Sequence, residues 1–276
     1  MEHKTITPDK TLISVITVCL NSEKYLEETI KSVVGQTYQN IEYIIIDGGS
    51  TDGTLDIIKK YRNRIAYWVS EPDQGLYDAM NKGIARAKGE LVGILNSDDY
   101  YQPNAVEIIV GEFKKDKEAG VFCGEVLFFL KEDNGMRMTR RRRLTNLGKF
   151  GQEVVHPATF VKKEVYEKFR YDVRYRIASD IDFVYLLYFN GVKFHTCPEL
   201  IANYRVGGVS RRFWSIVDVF RIYGKYFGPK CFLKNSIVFL FQSIKWCLKN
   251  FVLGGNFQHP FLRWYRRFVN HNFQRE

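Results

Sequence analysis

ISVITV at residues 13–18 and IEYIIID at residues 41–47 carry the fold. Each is a short apolar run rich in β-branched residues, broken only by single polar positions. A strand covered on both faces reads this way, because neither face has to meet water. Between them, residues 23–34 place Leu26, Ile30, Val33 and Val34 at helical spacing. Residues 48–53 read as a turn, 54–61 as a helix and 65–69 as a third strand. Residues 77–87 then read as a helix and 91–95 as a fourth strand. Strands alternating with helices predict βαβ units, hence an α/β class with a mostly parallel sheet flanked by helices. Beyond this core, 103–115 reads as helix and 121–130 as strand. Residues 131–151, rich in Arg, Gly and Asn, read as a long surface loop or loose hairpin. Residues 162–168 and 179–190 read as helices and 192–197 as a strand.

In open parallel sheets, ligands bind just beyond the carboxyl ends of the strands. Two acidic clusters stand at such ends: Asp47, and Asn96-Ser97-Asp98-Asp99. The first strand-to-helix turn, Thr17-Val18-Cys19-Leu20-Asn21-Ser22, holds no glycine, so the GxGxxG dinucleotide cradle is absent. No GxxxxGK[ST] loop is present either. A phosphate ligand therefore needs another source of positive charge, and a divalent metal held by carboxylates supplies one. Asp98 and Asp99 are candidates for that work; the plainer reading makes them turn acids ahead of Pro103. Residues 48–53 serve as a turn, with Asp52 placed to cap the helix at 54–61. Asp47 differs because it sits on the strand end, where its carboxylate can accept an N–H from a nucleobase.

Residues 13–54 (ISVITVCLNSEKYLEETIKSVVGQTYQNIEYIIIDGGSTDGT) and 73–99 (DQGLYDAMNKGIARAKGELVGILNSDD), with HPATF at 156–160 and SDIDF at 179–183, resemble the family 2 glycosyltransferases. The resemblance spans roughly 12–206 and rests on several separate motifs in the family's order. It implies a GT-A (Rossmann-like) fold and transfer of a sugar from a nucleotide donor with inversion, the donor being a UDP-sugar. It also implies roles. Thr17, Val18 and Asn21 line the nucleoside pocket, Asp47 holds the base, and Lys82 flanks the donor. Asn96-Ser97-Asp98 occupies the family's Asp-x-Asp position, with Asn96 a departure. Asp98 is left as the main contact to Mn²⁺ or Mg²⁺, Asn96 and Ser97 face the nucleotide, and Asp99 lies on the sugar side.

An inverting transfer also needs a base for the acceptor hydroxyl. Asp180 matches the family's base, and Ser179 replaces the usual preceding acid and doubles as a helix cap. Asp182 competes for the role. Two residues along a helix turn about 200°, so the two acids do not face one site equally. His156, biased to extended backbone by Pro157, borders the acceptor side as a binding residue. Asp73 and Tyr77 lie near the donor. The Asn96 and Ser179 departures leave a second reading open: a non-catalytic, membrane-associated scaffold on the same fold.

Charge divides the 276 residues unevenly. The chain carries a net +10, and residues 207–276 hold 12 Lys/Arg against two acids, Asp218 and Glu276. Seventeen of those residues are aromatic. The expected organisation is a transferase domain over 1–206 and a basic, aromatic, amphipathic helical tail over 207–276. Within the tail, Lys234, Gln242, Lys245 and Lys249 form a narrow polar stripe beside a wide apolar face. That pattern suits a helix lying in an anionic membrane surface; packing on the body or on a second subunit, as a homo-oligomer, is the alternative. Arg140–Arg143 reads either as a solvated run or as a contact for headgroups or a lipid-linked diphosphate. No nucleic-acid motif accompanies these charges. Five scattered cysteines without a CxxC pair, a polar N-terminus and no long uncharged apolar stretch point to a cytoplasmic, peripheral protein on the inner face of a membrane. A lipid-linked saccharide is then the expected acceptor.

Overall fold

The computed structural model describes residues 11–132, 135–142, 154–206, 217–219 and 221–228. The described elements are β1 (Ile13–Cys19), α1 (Leu26–Val34), β2 (Ile41–Asp47), α2 (Thr54–Lys60), β3 (Tyr67–Ser70), α3 (Leu76–Arg86), β4 (Leu91–Asn96) and β5 (Tyr100–Tyr101). They continue as α4 (Ala105–Lys115), β6 (Val121–Glu132), β7 (Gly135–Arg142), β8 (Thr159–Lys162), α5 (Lys163–Lys168), α6 (Ser179–Phe189) and β9 (Phe194–Arg205). They build one sheet in the order β3-β2-β1-β4-β8-β6-β9-β5, with β7 hydrogen-bonded to β6. The pairs β3–β2, β2–β1 and β1–β4 are parallel, as the alternation of strands and helices predicts. Beyond β4 the sheet turns mixed: β8 runs antiparallel to β4 and β6, while β6 and β9 pair parallel.

Alternation along each strand splits the core into two layers. Ile13 and Val15 of β1, with Tyr43 and Ile45 of β2, join Leu26, Ile30 and Val33 of α1 and Ile109 of α4 on one face. Ile16 and Val18, with Ile44 and Ile46, join Tyr77, Met80 and Ile84 of α3 and Phe183 of α6 on the other. Both faces are covered, which is why β1 and β2 read as near-continuous apolar runs.

The later half departs further from the linear reading. Residues 131–132 complete β6 and residues 135–142 form its antiparallel partner β7, so Arg140, Arg141 and Arg142 sit on a strand. β5 and β8 were not anticipated, because two and four residues are too few to show a period. β9 runs eight residues past the expected end at Cys197 and contains Pro198, which cannot donate to the ladder. The β6–β9 register shifts there, between Cys123 and Glu125, absorbing the proline as an irregularity.

The chain divides into two compact units, Met1–Asp218 and Val219–Glu276. In the second, residues 221–228 are helical. The amphipathic stretch at 234–251, most of the basic tail, and Arg143 lie outside the described residues. Among the described residues, no helix is long and apolar enough to cross a membrane.

Gly93 of β4 tests the packing. It pairs with Phe160 of β8, and a Cβ at Gly93 would stand 2.4 Å from the Phe160 ring. That ring is fully buried and stacks on Tyr101 at 5.6 Å, so it has nowhere to go. Gly93→Ala is expected to lower unfolding free energy by about 1–3 kcal/mol in urea titrations. An unchanged midpoint would show that this seam is not packed as described.

Candidate active site

The parallel register brings the strand ends level. Cys19 pairs with Asp47, Asp47 with Ser70, and Val18 with Asn96. Chain order reverses at β1, which lies between β2 and β4, and a crevice at such a switch point is where doubly wound sheets bind ligands. Hydrogen bonds join the turns around it. Ser22 Oγ and Ser97 Oγ lie 2.8 Å apart, linking the turns after β1 and β4. Asn21 has φ 49°, a left-handed conformation that asparagine tolerates well. Its N–H donates to Ser50 Oγ (2.8 Å), and its Oδ1 accepts from Thr51 N (2.9 Å). Asn21 thus staples the first turn to the second.

Asp47 is fully buried and takes five hydrogen bonds. Ser70 Oγ (2.6 Å), Ser50 N (2.9 Å) and Gly49 N (3.1 Å) donate to Oδ2. Ser50 Oγ and Cys19 Sγ donate to Oδ1. Burial alone would raise its pKa, but these donors outweigh it and hold the carboxyl below the ordinary range. The same carboxylate and burial push the Cys19 thiol far up, so it stays protonated. All five donors come from within the fold, at the strand end where the sequence places the expected nucleobase contact. Thr17 and Val18 are likewise buried, and Thr17 Oγ1 accepts from the Tyr43 hydroxyl (3.0 Å). Neighbouring Leu20, which sequence reasoning passed over, is 55% exposed.

The acidic turn after β4 is clamped from below by Arg205, the last residue of β9. Arg205 Nε donates to the Asp98 carbonyl (3.1 Å) and its backbone N–H to Asp99 Oδ1 (2.9 Å). Its Nη2 pairs with Glu28 Oε2 at 2.6 Å, and the guanidinium lies over the Tyr25 ring at 4.0 Å. Thr29 Oγ1 holds the Asp99 carbonyl (2.7 Å). Burial raises the pKa of Asp98 despite Arg205, and raises that of Asp99 further, with Asp98 adding repulsion.

No side chain among the described residues hydrogen-bonds the Asp98 carboxylate. Asn96 Oδ1 and Asp99 Oδ2 are buried without a partner among the described residues. Under-satisfied hard oxygens at a strand end fit a divalent cation. No group of three or more His, Cys, Asp or Glu side chains converges among the described residues. The donor set therefore suits the mode in which Mg²⁺ or Mn²⁺ uses one or two carboxylates together with substrate phosphates and water.

Asp180 opens α6 on the far side of α3. The Tyr77 hydroxyl reaches both the Ile177 carbonyl (2.7 Å) and Asp180 Oδ1 (3.1 Å). Asp218 Oδ2 accepts from Ile177 N (2.9 Å), anchoring the segment before the helix. Burial raises the Asp180 pKa, while the Tyr77 bond lowers it in part. Asp180 lines a small cleft of about 20 Å³ with His156, Thr159, Tyr166, Tyr171 and Phe183. His156 is held neutral, its pKa lowered to about 4 by burial, and its Nε2 has no partner among the described residues.

The structure thus brings together Asp180, Tyr77 and His156. Asp182 is buried, unlike half-buried Asp180 one turn-face away, and does not line the cleft. The expected Ser179 cap is not formed: Ala178 is the N-cap, and the buried Ser179 Oγ has no partner among the described residues. Lys82 is tied to Glu71 (3.0 Å) and the Pro72 carbonyl (3.1 Å) in the loop before α3 and to Asp78 (3.5 Å) within α3. In the same loop, Asp73 Oδ1 accepts from Gly75 N (2.8 Å).

A parallel half-sheet joined to a mixed one, with an acidic turn at the switch point, is the GT-A architecture. The chain belongs to glycosyltransferase family 2: the family model, Glycosyl transferase family 2, matches residues 14–188. The uncharacterized glycosyltransferase MT1564 of Mycobacterium tuberculosis is 37% identical over 182 residues, covering 62% of this chain and 67% of that protein. Chondroitin synthase of Pasteurella multocida is 38% identical over 108 residues, 38% of this chain but 11% of that protein. Among solved structures, residues 1–349 of S. aureus TarS in complex with UDP align with TM-score 0.62 at 20% identity, over 76% of this chain and 63% of that one. The mannosyltransferase PcManGT of Pyrobaculum calidifontis, in complex with GDP-Man and Mn²⁺, aligns with TM-score 0.62 at 17% identity, over 83% and 69%. At these identities the structural likeness speaks for the fold.

The two kinds of carboxylate make opposite pH predictions. Asp47 has a lowered pKa, so its stabilisation is present above the unfolded value near 4 and is lost as pH falls. Asp99 has a raised pKa, so its ionisation opposes folding as pH rises. At pH 7, Asp47→Asn should cost about 1.5–3 kcal/mol in urea unfolding, the cost of bonds to a charged group, and the deficit should shrink at acid pH. Asp99→Asn should cost little at pH 7 or stabilise. Equal deficits for Asp47→Asn at both pH values would contradict the hydrogen-bond account.

Proposed function

We propose that the protein is an inverting, metal-dependent glycosyltransferase that moves a sugar from a UDP-sugar to a lipid-linked saccharide. The observation that carries this reading is Asp180: a carboxylate with raised basicity, hydrogen-bonded by Tyr77 and lining a small cleft beside His156. Family membership supplies the reaction class, and the turn at Asn96, Ser97 and Asp98 supplies the anchoring ligands for a divalent cation, Mn²⁺ or Mg²⁺. When bound, such an ion offsets the charge of the donor pyrophosphate and of the diphosphate that leaves.

Asp180 does the proton work. It accepts the proton of the acceptor hydroxyl as that oxygen attacks the anomeric carbon. The new carbon–oxygen bond forms on the face opposite the phosphate, the anomeric carbon–phosphate oxygen bond breaks, and the nucleoside diphosphate departs with the electron pair. Inversion follows from that geometry. Tyr77 orients the carboxylate, and the apolar walls of the cleft keep it basic by limiting its hydration. Neutral His156 offers an uncharged ring nitrogen to an acceptor hydroxyl.

The setting at a membrane draws on composition. The basic, aromatic tail and Arg140–Arg142 on β7 offer several cationic side chains, each worth about 1 kcal/mol near an anionic surface. Work on the inner face of a membrane, within cell-surface polysaccharide assembly, joins these charges to a lipid-linked acceptor.

Asp180→Asn should retain UDP binding in the presence of Mn²⁺, measured by calorimetry, while turnover falls by about 10²–10⁴. Tyr77→Phe removes a bond that favours ionised Asp180, so the acidic limb of the kcat profile should move to higher pH. Undiminished turnover in Asp180→Asn would eliminate it as the base.

The full chain should also sediment with vesicles containing phosphatidylglycerol and be released by high salt, as screening shortens the Debye length. Equal behaviour with neutral and anionic vesicles would remove the membrane from the reading.

A further inference from the structure

The chain leading into α6 interleaves buried aromatics with exposed cations. Tyr171 and Tyr175 are buried, while Lys168, Arg170, Arg174 and Arg176 are exposed. Tyr171 anchors the segment, its ring 4.6 Å from that of Phe183 in α6. From 168 to 176 the four cations stand against one acid, Asp172. Arg174 forks onto that acid through Nε (2.9 Å) and Nη2 (2.6 Å), an exposed pair of the kind that contributes little. Arg170 Nη1 donates to the Tyr166 carbonyl.

α6 itself is apolar nearly all round. Residues 183–189, FVYLLYF, hold no charge. Phe183, Tyr185 and Leu187 are buried in the body. Ile181, Val184 and Tyr188 fall within about 60° of one another on the other side, and none of them is buried. Tyr188 is 44% exposed, Phe189 51%, and Val173 in the preceding segment 43%. These are three of the four large apolar side chains left exposed among the described residues. A helix without a polar side is normally covered on every side, and exposed apolar surface rimmed by charge marks a place of contact. Half-buried Asp180 stands about 40° from Val184, and the two line one cleft.

We propose that this face, the 168–176 segment with the outward side of α6, rests on an anionic lipid bilayer. It rests on the lipid-linked acceptor reading above and narrows it, by naming a surface of the transferase domain, apart from the tail, that meets the lipid. Guanidinium forks match phosphate oxygens. Tyrosine suits the boundary between headgroup and acyl chain, apolar in its ring and polar at its tip. Cations beside an uncharged aromatic stripe are the composition of a surface that lies in such a boundary. Asp180 then stands at the edge of the bilayer, where a saccharide anchored in lipid presents its hydroxyl without leaving the interface.

The test is sedimentation of the full chain with vesicles of equimolar phosphatidylglycerol and phosphatidylcholine. Arg170→Gln/Arg174→Gln/Arg176→Gln and Tyr188→Ser/Phe189→Ser alter exposed side chains, and each arm decides by itself should the other variant not fold. Each should weaken partition by about tenfold or more. Lys31→Gln/Lys59→Gln/Lys88→Gln, which removes three exposed lysines elsewhere, should weaken it far less. Wild-type partition retained in both variants overturns the proposal and leaves the membrane to the tail. A loss in the lysine variant equal to that in the arginine variant overturns it too, since net charge alone would then be at work. So does a wild-type dimer in sedimentation velocity that Tyr188→Ser/Phe189→Ser dissociates while vesicle binding stays unchanged, which assigns the face to a second copy. If wild type binds no vesicles, the membrane reading falls first and the proposal with it.

Discussion

A buried carboxylate ties the carboxyl end of the sheet together. Removing an ionised group from water costs several kcal/mol unless hydrogen bonds replace the lost hydration. Asp47 meets that requirement with five donors drawn from β1, from its own turn and from β3. Because the donors come from three places, the charge is stable only when the three strand ends lie level. The site floor is therefore as rigid as the sheet, and the loops at 48–50 and 71–75 rest on it.

Against this satisfied acid stand three others whose pKa values are raised by burial: Asp98, Asp99 and Asp180. They receive fewer donors than their burial calls for. Strain of that kind collects where a ligand completes the coordination. In the proposed reaction, the partner that Asp98 lacks is positive charge, which a cation with its phosphate load would provide, and the one that Asp180 lacks is a proton, which the acceptor hydroxyl would provide. The fold holds one carboxylate acidic and raises the pKa of the others by rationing hydrogen-bond donors.

Arg205 links the two halves of the domain. It lies 107 residues beyond Asp98, yet it carries the acidic turn on its guanidinium and backbone while pairing with Glu28. The mixed half of the sheet, with β9 at its core, is what puts it there. A turn clamped from a rigid strand holds its ligands in place better than a free loop does.

The sequence by itself determined the parallel half of the fold, because strands buried on both faces and helices with one apolar face leave periodic marks that no neighbour can erase. It also determined the chemical kinds present: acids at strand ends, no glycine cradle, and an aspartate opening a late helix. Tertiary structure alone decided which acids remain available. Asp47 and Asp98 look alike in one dimension, both following a β-branched run, and differ because strand pairing adds Cys19 and Ser70 to the three donors of Asp47's own turn, while among the described residues no side chain donates to the carboxylate of Asp98. The same holds for Arg205 beneath the acidic turn and for Ser179, whose hydroxyl caps nothing. Hydrogen-bond partners chosen across a sheet depend on register and on residues far apart in the chain, and a linear reading has no access to that distance.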